Sequence, residues 1–337
     1  MLRLGMIGAG AVVQGAHAST LTERGDVQVT AVADPVAENR EVLGKILGCS
    51  ALFDRYERLL DRNDVDAVFI CLPHYLHEEA VLAAFDAGKD VILEKPIAMN
   101  MEQAGRMVCG GKEKNRRFYV ILNERFYPPH RYVKAALDDG RYGRPFLALA
   151  HVIGDEFARM NRPDHWKGTW DRAGGGALMD TGTHVVDLVL WWFGKPRKVS
   201  CQWGRFMVEP ENKADDNVAV TFGYDTLLVD IVVSYSAVPD PWREDKRIYF
   251  SDASLHVLPG DPEPLLERRN KAPLQPLPVE PMPQYWAGSE SAALNHFLDC
   301  VMGKAEPEYG PEAACNALEM ILLAYRAAKE QRTVAIP

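Results

Sequence analysis

The hydrophobic and polar positions of the first 122 residues follow two alternating patterns. Short apolar runs, typical of buried strands, alternate with segments whose apolar residues recur every three or four positions, typical of amphipathic helices. The predicted strands are Leu2–Ile7, Val27–Ala33, Val65–Cys71, Val91–Leu93 and Phe118–Leu122. The predicted helices are Ala11–Arg24, Glu38–Leu47, Leu76–Ala87 and Met101–Lys114. This alternation predicts a parallel, doubly wound α/β sheet.

The pattern changes after Asn123. A helix over Arg131–Asp138 precedes longer segments in which apolar and polar residues alternate, which indicates an antiparallel sheet with one buried face. These segments are Phe146–Ile153, Lys198–Val208, Asn217–Phe222 and Leu227–Tyr235. Two further helices are predicted, Ser289–Val301 and Pro311–Lys329. We therefore expect an α/β domain over residues 1–122 and an α+β domain with a mostly antiparallel open sheet over residues 123–337.

Eight prolines lie between residues 259 and 283. Proline cannot donate to a strand ladder or continue a helix. We expect this segment to be an extended excursion that is neither a central strand nor a helix.

Composition and charge narrow the functional classes. The chain has 38 basic and 47 acidic residues and a net charge of −9, which does not suit a protein that binds nucleic acid or an anionic membrane. Its six cysteines are scattered without a Cys-x-x-Cys pair, so we expect neither a disulfide framework nor a cysteine-based zinc site, and we assign no metal ligands. No signal peptide or membrane-length apolar run is apparent, and we expect a cytoplasmic protein.

A glycine-rich loop joins the first predicted strand to the first predicted helix. Gly8 permits a tight turn, and Gly10 lets backbone N–H groups approach a pyrophosphate where the helix dipole favours anions. Ala11 and Val12 open that helix and belong to the same candidate cofactor site. Val13 replaces the third glycine of the dinucleotide fingerprint, and we expect it to displace the helix slightly. The loop predicts a Rossmann dinucleotide-binding domain.

Asp34 ends the second predicted strand, 24 residues after Gly10. A carboxylate there accepts hydrogen bonds from the adenosine ribose and repels a 2′-phosphate. No basic residue follows before Arg40, so we expect NAD rather than NADP. The alternative is a flavodoxin-like sheet without a cofactor, in which Asp34 only caps a helix.

Glu94-Lys95-Pro96 follows the apolar run Asp90–Leu93. Ligand sites of open α/β sheets lie beyond the carboxyl ends of their strands. A lysine held there by a proline is therefore placed to act on a ligand. Taken alone, the motif would more simply be a surface lysine after a strand, but the glycine loop and an Asp/His segment favour the ligand-binding interpretation.

That Asp/His segment runs from Gly174 through Asp180 to His184. Its three consecutive glycines let the backbone pass close to another group. If the apolar helix that follows begins near Asp180, then Asp180 and His184 lie on one face, where the carboxylate can orient the imidazole as a general base. Asp180 as a simple helix cap, His184 as a core histidine and a metal site remain alternatives.

Together these segments resemble the glucose–fructose oxidoreductase, inositol dehydrogenase and rhizopine-catabolism (Gfo/Idh/MocA) family over nearly the whole chain. Val13 is the clearest departure from the family's pattern. The segments that carry the resemblance are Gly8–Gly10, Ala33–Pro35, Leu72–His77, Ala87–Pro96, Asn123–Pro128, Gly174–His184 and Arg332–Pro337.

The resemblance implies hydride transfer between a nicotinamide and a hydroxyl or keto carbon of a sugar, inositol or related polyol. Lys95 would bind the reacting oxygen, His184 would exchange its proton, and Asp180 would hold the substrate and the base. The second domain's sheet would form a subunit interface, giving a homodimer or homotetramer. The further cofactor contacts we expect are Leu72, Pro73, His77, Glu94, Lys95 and Asn123.

Weaker candidates flank these motifs. Tyr127 is expected to line the boundary between cofactor and substrate, and Trp166 to face a polyhydroxylated ring, although each could equally be structural. Lys167, Trp170 and Arg172 lie in the same stretch. His77 would either approach the nicotinamide or only cap a helix.

Two other functions remain open at this stage. Some relatives oxidise a sugar carbon, eliminate a glycosidic or other β-substituent, and reduce the product on the same NAD. Others are non-catalytic sensors of NAD or sugar, and these tend to lose the lysine or the histidine.

Overall fold

The computed structural model describes residues 1–162, 165–207, 214–237, 242–282 and 284–337. Two residues of the predictions, Val208 and Pro283, lie outside this range. The chain forms two compact units, one of Met1–Asn123 with Trp286–Cys315 and one of Glu124–Tyr285 with Asn316–Pro337. This division differs from the contiguous domains predicted at residues 1–122 and 123–337, because the segment from Trp286 groups with the first unit.

The first unit contains a six-stranded parallel sheet with the strand order β3-β2-β1-β4-β5-β6. This is the order of a doubly wound dinucleotide-binding sheet, whose ligand crevice lies at the switch point beside β1. The prediction of a parallel α/β sheet is confirmed. The strands are β1 (Leu2–Ile7), β2 (Val27–Ala33), β3 (Leu52–Phe53), β4 (Ala67–Ile70), β5 (Asp90–Leu93) and β6 (Phe118–Val120).

Amphipathic helices accompany these strands, and two short elements, β3 and α3, were not predicted because they are too short to show a period. The first helix runs from Ala11 to Glu23 and contains a π-helical segment at Val13–His17. The helices are α1 (Ala18–Glu23), α2 (Ala37–Leu47), α3 (Tyr56–Leu60), α4 (His77–Asp86), α5 (Met101–Glu113) and, later in the chain, α10 (Tyr285–Val301).

The second unit is built on a nine-stranded mixed sheet with the order β14-β13-β12-β11-β7-β10-β9-β8-β15. Neighbouring strands pair antiparallel except β7 and β10, which are parallel. The strands are β7 (Pro145–Ile153), β8 (Lys198–Gly204), β9 (Asn217–Gly223), β10 (Leu228–Ser234), β11 (Arg243–Phe250), β12 (Ala253–Val257), β13 (Leu265–Arg269), β14 (Gln275–Pro276) and β15 (Val334–Ala335).

Helices cover one face of this sheet. The alternation in β9 places Val218, Val220 and Phe222 in the core and leaves Ala219 exposed, as predicted. The helices are α6 (Pro128–Asp139), α7 (Phe157–Met160), α8 (Trp170–Ala173), α9 (Thr181–Phe193) and α11 (Glu312–Glu330), of which α6 and α9 pack against the strands. No helix in the described part of the chain is long and apolar enough to cross a bilayer.

The proline-rich segment requires a correction. Its proline-free interval forms β13, which pairs with a strand on each side, so part of the segment is an internal strand. Pro276 lies in β14 at the edge of the sheet, where its missing N–H costs no ladder bond. The prolines therefore delimit the strands of this segment rather than exclude them.

Candidate active site

The glycine loop of the first unit has the geometry of a ligand cradle. Gly8 has a φ of +94°, and a Cβ there would lie 2.2 Å from the carbonyl oxygen of Cys71, so no other residue fits. At Gly10, in contrast, no heavy atom of the described residues, apart from the adjoining backbone and chain neighbours, lies within 4 Å of where a Cβ would be. The backbone beside Gly10 therefore borders open space that a ligand can approach.

Asp34 is fixed at the carboxyl end of β2. Its Oδ2 accepts a hydrogen bond from the N–H of Ala9 at 2.8 Å, and its Oδ1 accepts one from the N–H of Val36 at 2.8 Å. The side chain of Arg40 lies 3.2 Å from the carbonyl oxygens of Asp34 and Pro35. Asp34 thus ties the glycine loop to the start of α2, and its carboxylate retains further lone pairs for hydroxyl donors.

The predicted departure at Val13 coincides with the π-helical segment. Val13 is buried and is the first residue of that segment, and Gln14 donates to the carbonyl oxygen of Ala9 at 2.8 Å. The segment ends at His17, which is fully buried. Single π-turns inside helices are rare and occur frequently at functional sites.

Lys95 follows β5 in a turn with a cis peptide bond to Pro96. Glu94 is 6% exposed, and its Oε2 accepts the N–H of Lys95 at 3.1 Å while its Oε1 lies 2.7 Å from Nε2 of His17. Burial alone would raise the pKa of Glu94, but the hydrogen bond and charge of His17, together with the charge of Lys95, hold that pKa below its usual range.

The other predicted cofactor residues of this unit follow β4 and β6. Leu72 and Pro73 are half-buried, whereas His77 is buried with both ring nitrogens close to backbone carbonyls. These contacts account for His77 without a cofactor. Asn123 is fully buried and its Nδ2 donates to Oγ of Ser289 at 2.9 Å, while its Oδ1 has no partner among the described residues.

These observations fit a bound dinucleotide. An open cradle at Gly10 and a carboxylate at the end of β2 are features of a dinucleotide site, and the buried Oδ1 of Asn123 is available to a ligand donor. Gly8, Gly10, Ala11, Val12, Asp34 and Asn123 are the residues that would hold it.

A group of three buried side chains, His17, Glu94 and Glu290, brings metal-ligating atoms within 4.8 Å of one another. The 2.7 Å between Nε2 of His17 and Oε1 of Glu94 is a hydrogen-bond distance. Two atoms bound to one zinc ion at about 2.0–2.2 Å would lie more than about 3 Å apart. We therefore interpret His17 and Glu94 as a hydrogen-bonded pair, with Oε2 of Glu290 3.9 Å from Nε2 of His17.

In the second unit, the glycine run passes against a buried carboxylate. A Cβ at Gly176 would lie 1.9 Å from the carbonyl oxygen of Asp215, which confirms the predicted close approach. The carboxylate of Asp215 accepts the N–H groups of Gly176 at 2.7 Å and Leu178 at 3.0 Å and the hydroxyl of Tyr325 at 2.7 Å. Burial raises the pKa of Asp215. Asp215 thereby fixes the backbone that leads to Asp180.

Asp180 occupies the N-cap position of α9, but its side chain makes no capping bond. Instead its Oδ2 accepts Nζ of Lys167 at 2.5 Å and the hydroxyl of Tyr235 at 2.7 Å. Burial, followed by the negative charge of Asp180, raises the pKa of Tyr235 well above its usual range. The tyrosine therefore remains a hydrogen-bond donor, and the interpretation of Asp180 as a simple helix cap is wrong.

His184 lies one helical turn after Asp180, as predicted, and is half-buried. One turn further along α9, Asp187 forms a buried two-bond pair with Arg125 at 2.5 and 2.8 Å. The carboxylates on either side of His184 are thus both held by cations. A carboxylate and an imidazole on consecutive turns can orient a hydroxyl and exchange its proton.

Two weaker candidates differ in their surroundings. Trp166 is half-buried, and its ring centroid lies 5.8 Å from Nζ of Lys167, so it borders the Asp180 cluster. Tyr127 is 3% exposed and packs against Tyr285 and His130, which favours a packing role over the predicted substrate contact.

The sequence does not identify every residue that contributes to these sites. Lys167 was only a weaker candidate, while His17, Tyr235 and Asp215 were not singled out. Tyr235 ends a predicted strand and His17 follows the glycine loop, so each had a recognisable position. No local sequence pattern could reveal their contacts, however, because Tyr235 lies 55 positions from Asp180 and His17 lies 77 positions from Glu94.

Comparison with known proteins agrees with the fold of the two units. The model "Oxidoreductase family, NAD-binding Rossmann fold" matches residues 2–122, and the "GFO/IDH/MocA C-terminal domain" model matches residues 130–256. Levoglucosan dehydrogenase of Pseudarthrobacter phenanthrenivorans is 34% identical over 42% of this chain and 36% of its own length. D-glucoside 3-dehydrogenase of Escherichia coli K12 is 29% identical over 58% of this chain and 55% of its own. The alignments thus span about half the length of these relatives, or less.

The fold extends beyond these alignments. A solved structure of levoglucosan dehydrogenase in complex with NADH and L-sorbose superposes with a TM-score of 0.86 at 20% identity, over 100% of this chain and 99% of that one. The two matching domain models follow each other along the chain in the same order as the two sheets. The chain belongs to the Gfo/Idh/MocA family of NAD-binding oxidoreductases.

Proposed function

We propose that this protein transfers a hydride between NAD and a hydroxyl or keto carbon of a sugar, inositol or related polyol. The observation that carries the proposal is the Asp180 carboxylate, which is held by Lys167 and Tyr235 one turn before His184. A fixed carboxylate beside an imidazole suits the orientation and deprotonation of a hydroxyl group. Trp166 adds an aromatic surface of the kind that packs against a sugar ring.

Three side chains have separate roles in this proposal. The ammonium of Lys95 binds the reacting oxygen and stabilises the alkoxide that forms as the hydroxyl loses its proton. The imidazole of His184 takes that proton during oxidation and returns it during reduction. Asp180 accepts a hydrogen bond from the substrate and keeps it oriented towards His184. NAD, when bound, supplies or accepts the hydride.

An assay against a substrate panel tests the function. Purified protein is mixed with NAD and inositols, aldoses and sugar derivatives, and the NADH absorbance band is followed. We expect absorbance to grow with at least one class of substrate. Bond cleavage without net NADH would instead indicate redox-cycled elimination, and silence with measurable NAD binding would indicate a sensor.

We expect Asp34→Ala to weaken NAD binding about 10–100-fold, because it removes the equivalent of one charge-assisted hydrogen bond, worth about 1.5–3 kcal/mol. Loss of the carboxylate also removes repulsion of a 2′-phosphate, and Arg40 lies beside the same backbone. The ratio of NADP to NAD affinity should therefore rise. Calorimetry with both cofactors measures this.

Asp34→Asn is the matched control, because it retains one carbonyl acceptor and removes the charge. It should fall between the wild type and Asp34→Ala in NAD affinity. Unchanged NAD affinity in both variants would contradict the proposed contact with the ribose and our preference for NAD.

We further propose that the protein acts in the cytoplasm as a homodimer or homotetramer through the outward face of its nine-stranded sheet, without nucleic-acid or membrane partners. In support, Leu147, Leu149 and Val232 remain partly exposed on that face. Light scattering on the purified protein tests the assembly. A mass of one chain would contradict it.

A further inference from the structure

Two buried histidines approach the Glu94-Lys95-Pro96 turn from different helices. His17 ends the π-helical segment of the first helix, and His77 is the first residue of α4. They hold the groups immediately before and after Lys95, which are the carboxylate of Glu94 and the backbone of Pro96.

On the N-terminal side, His17 acts through Glu94. Its Nε2 lies 2.7 Å from Oε1 of Glu94, and the other carboxylate oxygen accepts the backbone N–H of Lys95 at 3.1 Å. The His17 ring is fully buried and packs edge-on against Phe69, with ring centroids 4.8 Å apart. The Glu94 carboxylate therefore links a fixed imidazole to the backbone of Lys95.

A second carboxylate faces the same histidine nitrogen. Oε2 of Glu290, in α10, lies 3.9 Å from Nε2 of His17, and its side chain is also buried. An imidazole between two carboxylates favours an N–H directed at the nearer one, which is Glu94. The hydrogen bond and charge of His17 hold the pKa of Glu94 low despite burial, so Glu94 stays ionised as an acceptor.

On the C-terminal side, His77 holds the backbone of Pro96. Its Nδ1 lies 2.9 Å from the carbonyl oxygen of Pro96, and its Nε2 lies 2.8 Å from the carbonyl oxygen of Leu72. The ring is 1% exposed, and burial lowers its pKa. An imidazole with a lowered pKa carries one N–H, so His77 donates a hydrogen bond to one of these two carbonyls and contacts the other, between the loop after β4 and the turn after β5.

We propose that His17 and His77 are positioning residues that together fix the backbone from which Lys95 projects. The inference rests on the proposed function, in which Lys95 binds the reacting oxygen. It also joins two parts of the site, because the helix that carries His17 begins at the dinucleotide loop. One helix therefore begins at the loop that would hold the pyrophosphate and also carries His17, which fixes the turn at Lys95.

A matched pair of variants tests the role of His17. Glutamine can place its amide N–H near the position of Nε2 and donate to Glu94, whereas asparagine places its amide near Nδ1 and falls short. We expect His17→Asn to lower kcat about 10–100-fold, because small misplacements of a catalytic group have effects of about that size. His17→Gln should retain most of the wild-type kcat. The NADH Kd and the substrate KM should change less than about threefold in both.

The role of His77 is tested by the same kcat measurement, and the role of His17 is tested again in a variant that lacks the Lys95 side chain. His77→Ala should lower kcat by a similar factor, and His256→Gln, on β12 of the second unit, is the control expected to leave kcat unchanged. In a Lys95→Ala background, His17→Asn should lower the residual rate less than twofold, because no ammonium remains to be positioned. Thermal unfolding and NADH binding show that each variant is folded.

Three outcomes separate the inference from the function it rests on. Equal kcat values for His17→Asn and His17→Gln would overturn the inference. An equal loss in both lysine backgrounds would also overturn it, since that is the behaviour of a general structural defect. Full turnover by Lys95→Ala itself would overturn the proposed function instead.

Discussion

Lys95→Ala is expected to abolish nearly all turnover. The alkoxide that forms on the substrate would lose the ammonium that stabilises it, and removing one preorganised donor at an oxyanion costs about 10²–10³-fold in kcat. Lys95→Arg should recover little, because a planar guanidinium does not reproduce a compact ammonium. Stopped-flow or steady-state absorbance of NADH measures kcat, using the substrate that responds best in the panel.

Binding measurements decide how the loss of turnover is interpreted. NADH should bind Lys95→Ala with nearly wild-type affinity, because the backbone N–H groups of the glycine loop and Asp34 are unchanged. Lys114→Ala is the control, since Lys114 belongs to the same unit, is 51% exposed and pairs with Asp86 on the surface. Weaker cofactor binding in Lys95→Ala, with full turnover at saturating NAD, would assign Lys95 to the cofactor rather than to the substrate.

The sequence predicts best those elements in which burial produces a regular pattern of apolar and polar residues. β1, β4 and β5 are buried on both faces and appear as apolar runs, and β9 alternates from Asn217 to Phe222 because only one of its faces packs in the core. The position of Lys95 followed from the same reasoning, since it lies directly after such a run.

β11 shows why other elements escape this reasoning. Its sequence begins Arg243-Glu244-Asp245-Lys246-Arg247, which is typical of a solvated surface. In the structure Lys246 is fully buried and lies 3.1 Å from Oε2 of Glu124, with Glu244 as a second carboxylate partner. Two carboxylates stabilise this buried ammonium, so a charged residue occupies a core position. No period in the sequence can show that compensation.

In the candidate site too, local spacing predicts some residues, whereas others are supplied by distant parts of the chain. Asp180 and His184 were predictable because α-helical spacing alone places them one turn apart. The partners that give Asp180 its role, Lys167 and Tyr235, come from other elements, 13 and 55 residues away. His77 is a different case, since the motif predicts either a cofactor contact or a helix cap, and in the structure both ring nitrogens lie next to backbone carbonyls. Motifs identify candidate residues, and tertiary contacts decide which atoms remain available.

His184→Ala should have the second largest effect. Removing a general base lowers the rate typically about 10²–10⁴-fold, and here the loss should appear in both kcat and kcat/KM for substrate oxidation. The residual rate should rise steadily with pH, because water or hydroxide must then take the proton that the imidazole accepts in the wild type. The pH profile of kcat measures this change of slope.

Chemical rescue distinguishes a missing base from a damaged fold. Imidazole added to the buffer should raise the rate of His184→Ala and leave His256→Gln unaffected, because only the first variant lacks a base beside the substrate. Asp180→Asn should behave differently from His184→Ala. It keeps an oxygen that can accept the hydroxyl of Tyr235 but loses the charge paired with Lys167, so its defect should not respond to imidazole. If imidazole rescued both variants equally, the proton would not pass to His184, and the separate roles of the carboxylate and the imidazole would have to be abandoned.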